Sequence, residues 1–271
     1  LNDNRHEVDV NSIISAQNAQ FKFLKSLQQK KYRQRQQCFL LEGFRYVIDA
    51  IDNGWQCEGV YVHDRLWDEL TQALKEKLSA SAEVTLLSAQ LFEGIAETAH
   101  SQGIVGVFKM RETHLDRLAE GARFLIYLDR IQDPGNLGTI IRTADAAGAD
   151  AVILNKGCVD VFNSKVLRST AGSVLNVQLI NADEDAETLM RLRERGFKIV
   201  VTDLQSDFDY NDPRAYGFRN CLVIGNEGNG VSEAVKASAD VRIKIPIYGK
   251  AESLNASVAA GILIYKIKSI L

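Results

Sequence analysis

Proline is nearly missing from this chain, three residues in 271, and Met and Trp are scarcer still at two each. So little proline beside 19 glycines excludes a disordered proline-rich or collagen-like polypeptide. The four cysteines, Cys38, Cys57, Cys158 and Cys221, stand far apart without a C-x-x-C, which favours buried free thiols over disulfides or zinc. His6, His63, His100 and His114 show neither H-E-x-x-H nor ligand-like clustering, so no metal is expected. Apolar runs such as Phe124–Leu128 fall far short of the roughly 20 residues a membrane helix needs. No signal segment is visible, so a cytoplasmic protein is expected. An excess of either charge is absent too: 32 basic against 35 acidic residues leave −3, which spread evenly gives nucleic acid no advantage.

What is present is an ordinary globular composition, 46% hydrophobic and 25% charged, long enough for one large domain or two modest ones. Charge is unevenly distributed. Seven cations (Lys22, Lys25, Lys30, Lys31, Arg33, Arg35 and Arg45) face Glu42 alone between Phe21 and Arg45, while Asp183–Glu187 is acidic. Such a basic run either touches phosphate or is a solvated helix face.

The polar, aperiodic start, with Leu in place of Met suggesting trimming, reads as a flexible arm over 1–14. Over 15–110, helices at Ala16–Gln29, Gly43–Ile51 and Leu66–Leu78 alternate with strands at Cys38–Leu41, Gly59–Val62, Val84–Leu87 and Ile104–Lys109, a small α/β domain. A charged linker, 111–123, leads to 124–271. There the strands Phe124–Leu128, Ala151–Leu154, Lys198–Thr202, Cys221–Ile224 and Val241–Ile245 are continuous apolar runs, as in a parallel sheet covered on both faces. Helices are expected at Leu137–Ala147, Lys165–Ala171, Asp185–Arg195, Val231–Ala237 and Leu254–Ile270. In such sheets ligands gather beyond the carboxyl ends of the strands.

Three segments lie there. In Asp133-Pro134-Gly135-Asn136, Pro-Gly makes a turn and Asn136 suits a helix N-cap. Arg142 then sits off the apolar stripe about one and a half turns later, near the positive end of the helix, where a cation points to an outside anion unless Asp145 pairs with it. In Gly225-Asn226-Glu227-Gly228-Asn229-Gly230, three glycines allow positive φ or close approach to a ligand, and the spacing fits neither dinucleotide nor P-loop fingerprints. Glu227 suits a pocket better than a core, although a simple tight turn accounts for the glycines equally. In Ile245-Pro246 to Ser253-Leu254-Asn255, Ser253 or Asn255 can cap the last helix, whose residues Leu254, Val258, Ile262 and Tyr265 repeat at helical spacing as core or subunit interface.

Together and in order, N-x-G-x-x-x-R-x-A-D, I-G-N-E-G-x-G and I-P-I-x-G-x-x-x-S-L-N-A-S-V-A closely resemble the three motifs of SpoU-type RNA 2′-O-ribose methyltransferases of the SPOUT superfamily. The resemblance covers Phe124–Leu271, and the preceding domain is similar in arrangement to the small substrate-binding domain that often precedes it. It implies an α/β fold whose parallel sheet ends in a C-terminal trefoil knot, S-adenosylmethionine as cofactor and a homodimer. By position, Gly225, Ile245 and Leu254 would contact the cofactor, with Thr202 and Leu204 as a further wall. Arg142 matches the family arginine implicated in catalysis; Asn136, Glu227, Ser253 and Asn255 match its polar companions. The implied substrate is structured RNA, ribosomal rather than transfer, held by Lys30, Lys31, Arg33, Arg35 and Arg45. Two alternatives remain open: a nonenzymatic RNA-binding or ribosome-assembly protein on this fold, and a methyltransferase acting on an RNA base.

Overall fold

Alternating apolar runs and helical stretches resolve, in a computed structural model describing residues 10–98, 101–111 and 114–271, into two units that divide after Arg111. Most of the expected arm, with His6 and His100, lies outside the described residues. Asn11–Ile13 does not behave as an arm: it forms β1, paired in parallel with β4 (Val84–Leu87), and Ile13 is buried.

In the first unit, β2 (Cys38–Glu42), β3 (Cys57–His63) and β5 (Ile104–Lys109) complete a sheet of order β1-β4-β3-β5-β2. β5 runs antiparallel to both neighbours. The first helix is shorter than the sequence pattern suggests: α1 (Ala19–Ser26) is capped by Asn18 and followed by a separate α2 (Lys30–Gln36), which stops where Gln37 turns left-handed. Arg33 corrects the basic-face expectation. It is buried and donates to the carbonyls of Leu27 and Gln28, each at 2.8 Å, so it satisfies the end of α1 and is not presented to a ligand. After α3 (Phe44–Asp52), the expected helix Leu66–Leu78 is likewise two, α4 (Asp64–Glu69) and α5 (Gln72–Ser81), because Leu70 and Thr71 are extended. α6 (Ala89–Ile95) packs on α1 around a core that includes Phe21, Leu24, Leu87 and Phe92.

The second unit is a six-stranded, wholly parallel sheet of order β11-β9-β10-β6-β7-β8. Its strands are β6 (Phe124–Leu128), β7 (Ala151–Asn155), β8 (Gln178–Ala182), β9 (Lys198–Thr202), β10 (Asn220–Ile224) and β11 (Val241–Ile243). The strand β8 is absent from the sequence reading because Gln178 and Asn181 interrupt its apolar run. β6, β7 and β10 are buried throughout, as a sheet covered on both faces requires. Helices α7 (Pro134–Ala146), α8 (Ser164–Thr170), α9 (Asp185–Glu194), α10 (Glu233–Lys236) and α11 (Ala256–Lys268) complete the unit. From β6 the chain moves outward through β7 and β8, whereas β10 lies on the other side of β6 with Ile224 opposite Leu128. The strand order therefore reverses between β6 and β10, and the loops leaving these two strands start side by side.

Candidate functional site

The loop after β6 enters α7 through Asp133, not Asn136. Asp133 is the N-cap and accepts the Asn136 N–H at 2.7 Å, with Pro134 in the first turn where its missing N–H costs nothing. Asn136 is thereby released from the capping expected of it. Its side chain is buried and bonds outward in two directions: Nδ2 donates to Glu227 Oε1 at 2.9 Å, and Oδ1 accepts from Asn255 Nδ2 at 2.9 Å. One carboxamide thus joins the three segments singled out in the sequence.

Glu227 is held from several sides. Its Oε1 also accepts the N–H of Asp133 at 3.2 Å, and Oε2 accepts the N–H of Gln132 at 3.3 Å. Burial pushes this carboxyl up, but the Asn136 amide and three backbone donors, its own N–H and those of Gln132 and Asp133, outweigh burial and hold it below the ordinary glutamate value. The glycines around it act differently from the expectation. Only Gly230 has positive φ, at 64°; Gly225 is needed because a Cβ there would lie 2.2 Å from the Val231 nitrogen. The close approach at Gly225 is by the loop's own backbone, which folds back through mutual Asn226–Gly230 bonds of 3.0 and 2.9 Å.

Asn255 caps α11, accepting from Ser257 N at 2.9 Å and Val258 N at 3.3 Å. Strand β11 ends at Ile243, so Ile245 lies beyond it, outside regular secondary structure. Between these loops is a cavity of about 460 Å³, lined by Thr202, Leu204, Gly225, Ile245, Leu254 and Ser253 among others, with Glu227 at its wall. That size is within the range of small-molecule sites. Thr202 also donates to the Val223 carbonyl at 3.0 Å, tying the end of β9 to β10.

Arg142 is exposed on α7 and has no ion pair among the described residues; Asp145, its expected neighbouring partner, accepts instead from Asn176 at 3.1 Å. It does not join the Asn136 bridge. In the first unit Lys30, Lys31 and Arg35 are exposed on α2, whereas Arg45, on α3, pairs with Asp49 at 3.5 Å. All four cysteines are free, with Cys38 and Cys221 buried and Cys57 and Cys158 partly so. Among the described residues no cluster of three or more His, Cys, Asp or Glu could hold a metal, and no helix is long and apolar enough to cross a membrane.

Asp129, Arg130 and Asn155 lie outside the three segments singled out in the sequence, yet Arg130 bonds to Asn226 beside Glu227, and Asn155 bonds to Asp129. Asp129 is wholly buried at the end of β6, and Arg130 is one of three non-glycine residues with positive φ among those described, at 59°. The available signal was an acid immediately after an uninterrupted apolar strand.

Residues 123–265 match the SpoU rRNA Methylase family, and residues 18–106 match the MRM3-like substrate binding domain. The chain is 37% identical over 257 residues to the 23S rRNA (guanosine(2553)-2′-O)-methyltransferase RlmP of Bacillus subtilis (strain 168), covering 94% of this chain and 98% of that protein. The crystal structure of an AdoMet-bound rRNA methyltransferase from Sinorhizobium meliloti superposes with a TM-score of 0.85 at 33% identity, covering 97% of this chain and 98% of that one. The SpoU methyltransferase AviRb from Streptomyces viridochromogenes, in complex with the cofactor AdoMet, gives 0.84 at 30% identity over 93% and 98%.

Proposed function

The chain belongs to the SpoU rRNA methylase family, and on that premise we propose that it methylates a ribose 2′-hydroxyl of ribosomal RNA with S-adenosylmethionine as donor. The observation that carries this reading is the Glu227–Asn136–Asn255 bridge, which brings three loops around one cavity at the reversal of strand order. RNA is the acceptor because DNA lacks the 2′ oxygen. The 23S specificity named for the Bacillus subtilis relative supports ribosomal over transfer RNA.

The cavity fits the donor: apolar Ile245, Leu254 and Leu204 can cover an adenosine, and the backbone of Gly225 and its neighbours supplies polar atoms. When bound, S-adenosylmethionine supplies an electrophilic methyl carbon on a sulfonium sulfur. The loops around the cavity would hold that carbon in line with the attacking 2′ oxygen, and the proton the hydroxyl gives up would pass to solvent water. Arg142, exposed on α7, anchors the adjacent RNA phosphate and polarises the hydroxyl, since a guanidinium stays charged and offers donors but no acceptor for a proton. Glu227 is a poor base as well, its oxygens already accepting several hydrogen bonds; with Asn136 and Asn255 it holds the loops, while Ser253 faces the cavity. Alignment of the reacting groups can supply about 7–11 kcal/mol of barrier lowering.

The same reading has the segment after β11 threading a trefoil knot, supported by the likeness to SpoU structures. It has two chains associating through α11, where Val258, Ile262 and Tyr265 leave an apolar stripe exposed. Lys30, Lys31 and Arg35 hold RNA phosphates; a cytoplasmic location is supported by the bacterial rRNA methyltransferase that the chain resembles.

The test is incubation with methyl-labelled donor and ribosomal RNA, followed by nuclease digestion and mass analysis. A 2′-O-methylnucleoside is the expected product. Label on a base indicates base methylation, and donor binding that is absent at millimolar concentration indicates a nonenzymatic RNA-binding protein.

A further inference from the structure

A carboxylate wholly removed from solvent needs full compensation by donors. Asp129 has it: Oδ2 accepts the Ser232 N–H at 2.6 Å, and Oδ1 accepts Asn155 Nδ2 at 2.7 Å and Arg130 Nε at 3.0 Å. These three donors belong to different segments. Ser232 closes the glycine-rich loop that carries Glu227, Asn155 ends β7, and Arg130 begins the loop to α7.

Arg130 is pinned twice more. Its N–H donates to Asn155 Oδ1 at 2.9 Å and its carbonyl accepts Asn226 Nδ2 at 2.8 Å, which fixes a left-handed backbone that a non-glycine residue adopts at some cost. Its guanidinium reaches the Gly230 carbonyl at 3.4 Å. The side chain has room only because residue 157 is glycine; a Cβ there would lie 2.3 Å from Arg130 Cγ.

We propose that Asp129 is a positioning residue for methyl transfer: acting through Ser232 and Arg130, it locks the loop 225–231 in the shape that forms the donor cavity and presents Glu227 to Asn136. It touches neither donor nor RNA. The consequence for catalysis rests on the function proposed above, whereas the locking of the loop does not.

Asp129→Asn decides the matter. The substitution keeps the shape but turns one acceptor into a donor, so at least one of the three donors loses its partner. Well below the variant's melting temperature, amide hydrogen exchange across 225–232 should rise about tenfold or more. Affinity for S-adenosylmethionine by calorimetry should fall about tenfold, with RNA affinity unchanged. A residue that only adds stability would lower the melting temperature and move neither readout, so wild-type loop exchange and donor affinity in Asp129→Asn overturn the proposal. Should that variant not fold, Gly157→Ala carries the same test: it displaces Arg130 without touching the carboxylate, and wild-type exchange in 225–232 refutes the lock. Wild-type protein that binds no donor would refute the proposed function instead, and the exchange measurement would still decide this inference.

Discussion

Asn136 donates its side-chain amide to Glu227 at 2.9 Å across 91 positions of sequence, fastening the loop after β6 to the loop after β10. Asn136→Ala removes this bond and the one to Asn255 together. About a hundredfold loss of turnover is expected, with donor affinity reduced as well because the cavity wall loosens; turnover equal to wild type would show that the bridge does not matter to chemistry.

Arg142→Ala should behave differently. Arg142 is outside the bridge and does not line the donor cavity, so calorimetry should find donor affinity unchanged while methylation drops by about 100-fold or more. Unchanged turnover would remove Arg142 from the mechanism.

Glu227 sets an acid limit. Because its carboxyl is held below the ordinary value, its contribution to folding is complete above the unfolded value of about 4.3 and is lost as pH falls through the lower folded value. Glu227→Gln should therefore flatten the loss of stability on the acid side. Acid titrations of the two proteins that superimpose would argue against the depressed carboxyl.

Two arginines of the basic run should separate by experiment. Arg35→Glu, on the exposed face, should weaken RNA binding and lower the salt slope by roughly one counterion for each phosphate it no longer holds. Arg33→Ala instead deprives the Leu27 and Gln28 carbonyls of a charged donor, with about 1.5–3 kcal/mol of stability lost in denaturant titration and the salt slope retained. The reverse pattern would mean that Arg33 faces RNA.

Val258→Asp places a charge in the exposed stripe of α11. Sedimentation should show dimers for the unmodified chain and monomers for the variant; a variant that stays dimeric puts the interface elsewhere.

Much of this site was legible in the sequence because its loops follow strand ends and carry Pro134, Gly225 and Asn255, residues whose backbone preferences act locally. What escaped depends on partners distant in sequence. Asn136 looked like a cap because only the structure shows Asp133 in that place. Arg33 looked like a surface cation because its burial requires α1 and α2 to meet. Asp129 looked ordinary in sequence because its donors lie 26 and 103 positions away as well as next door. β8 was invisible since a polar residue toward each end shortens its apolar signature below that of its neighbours.

The two units have separate sheets and separate apolar cores, one around Phe92 and the other around Tyr127. Inheritance can therefore treat them as interchangeable parts. On the function proposed above, with the first unit holding RNA, recombination near residue 112 would give the same transfer chemistry a new target without disturbing a single bond of the Asn136 bridge.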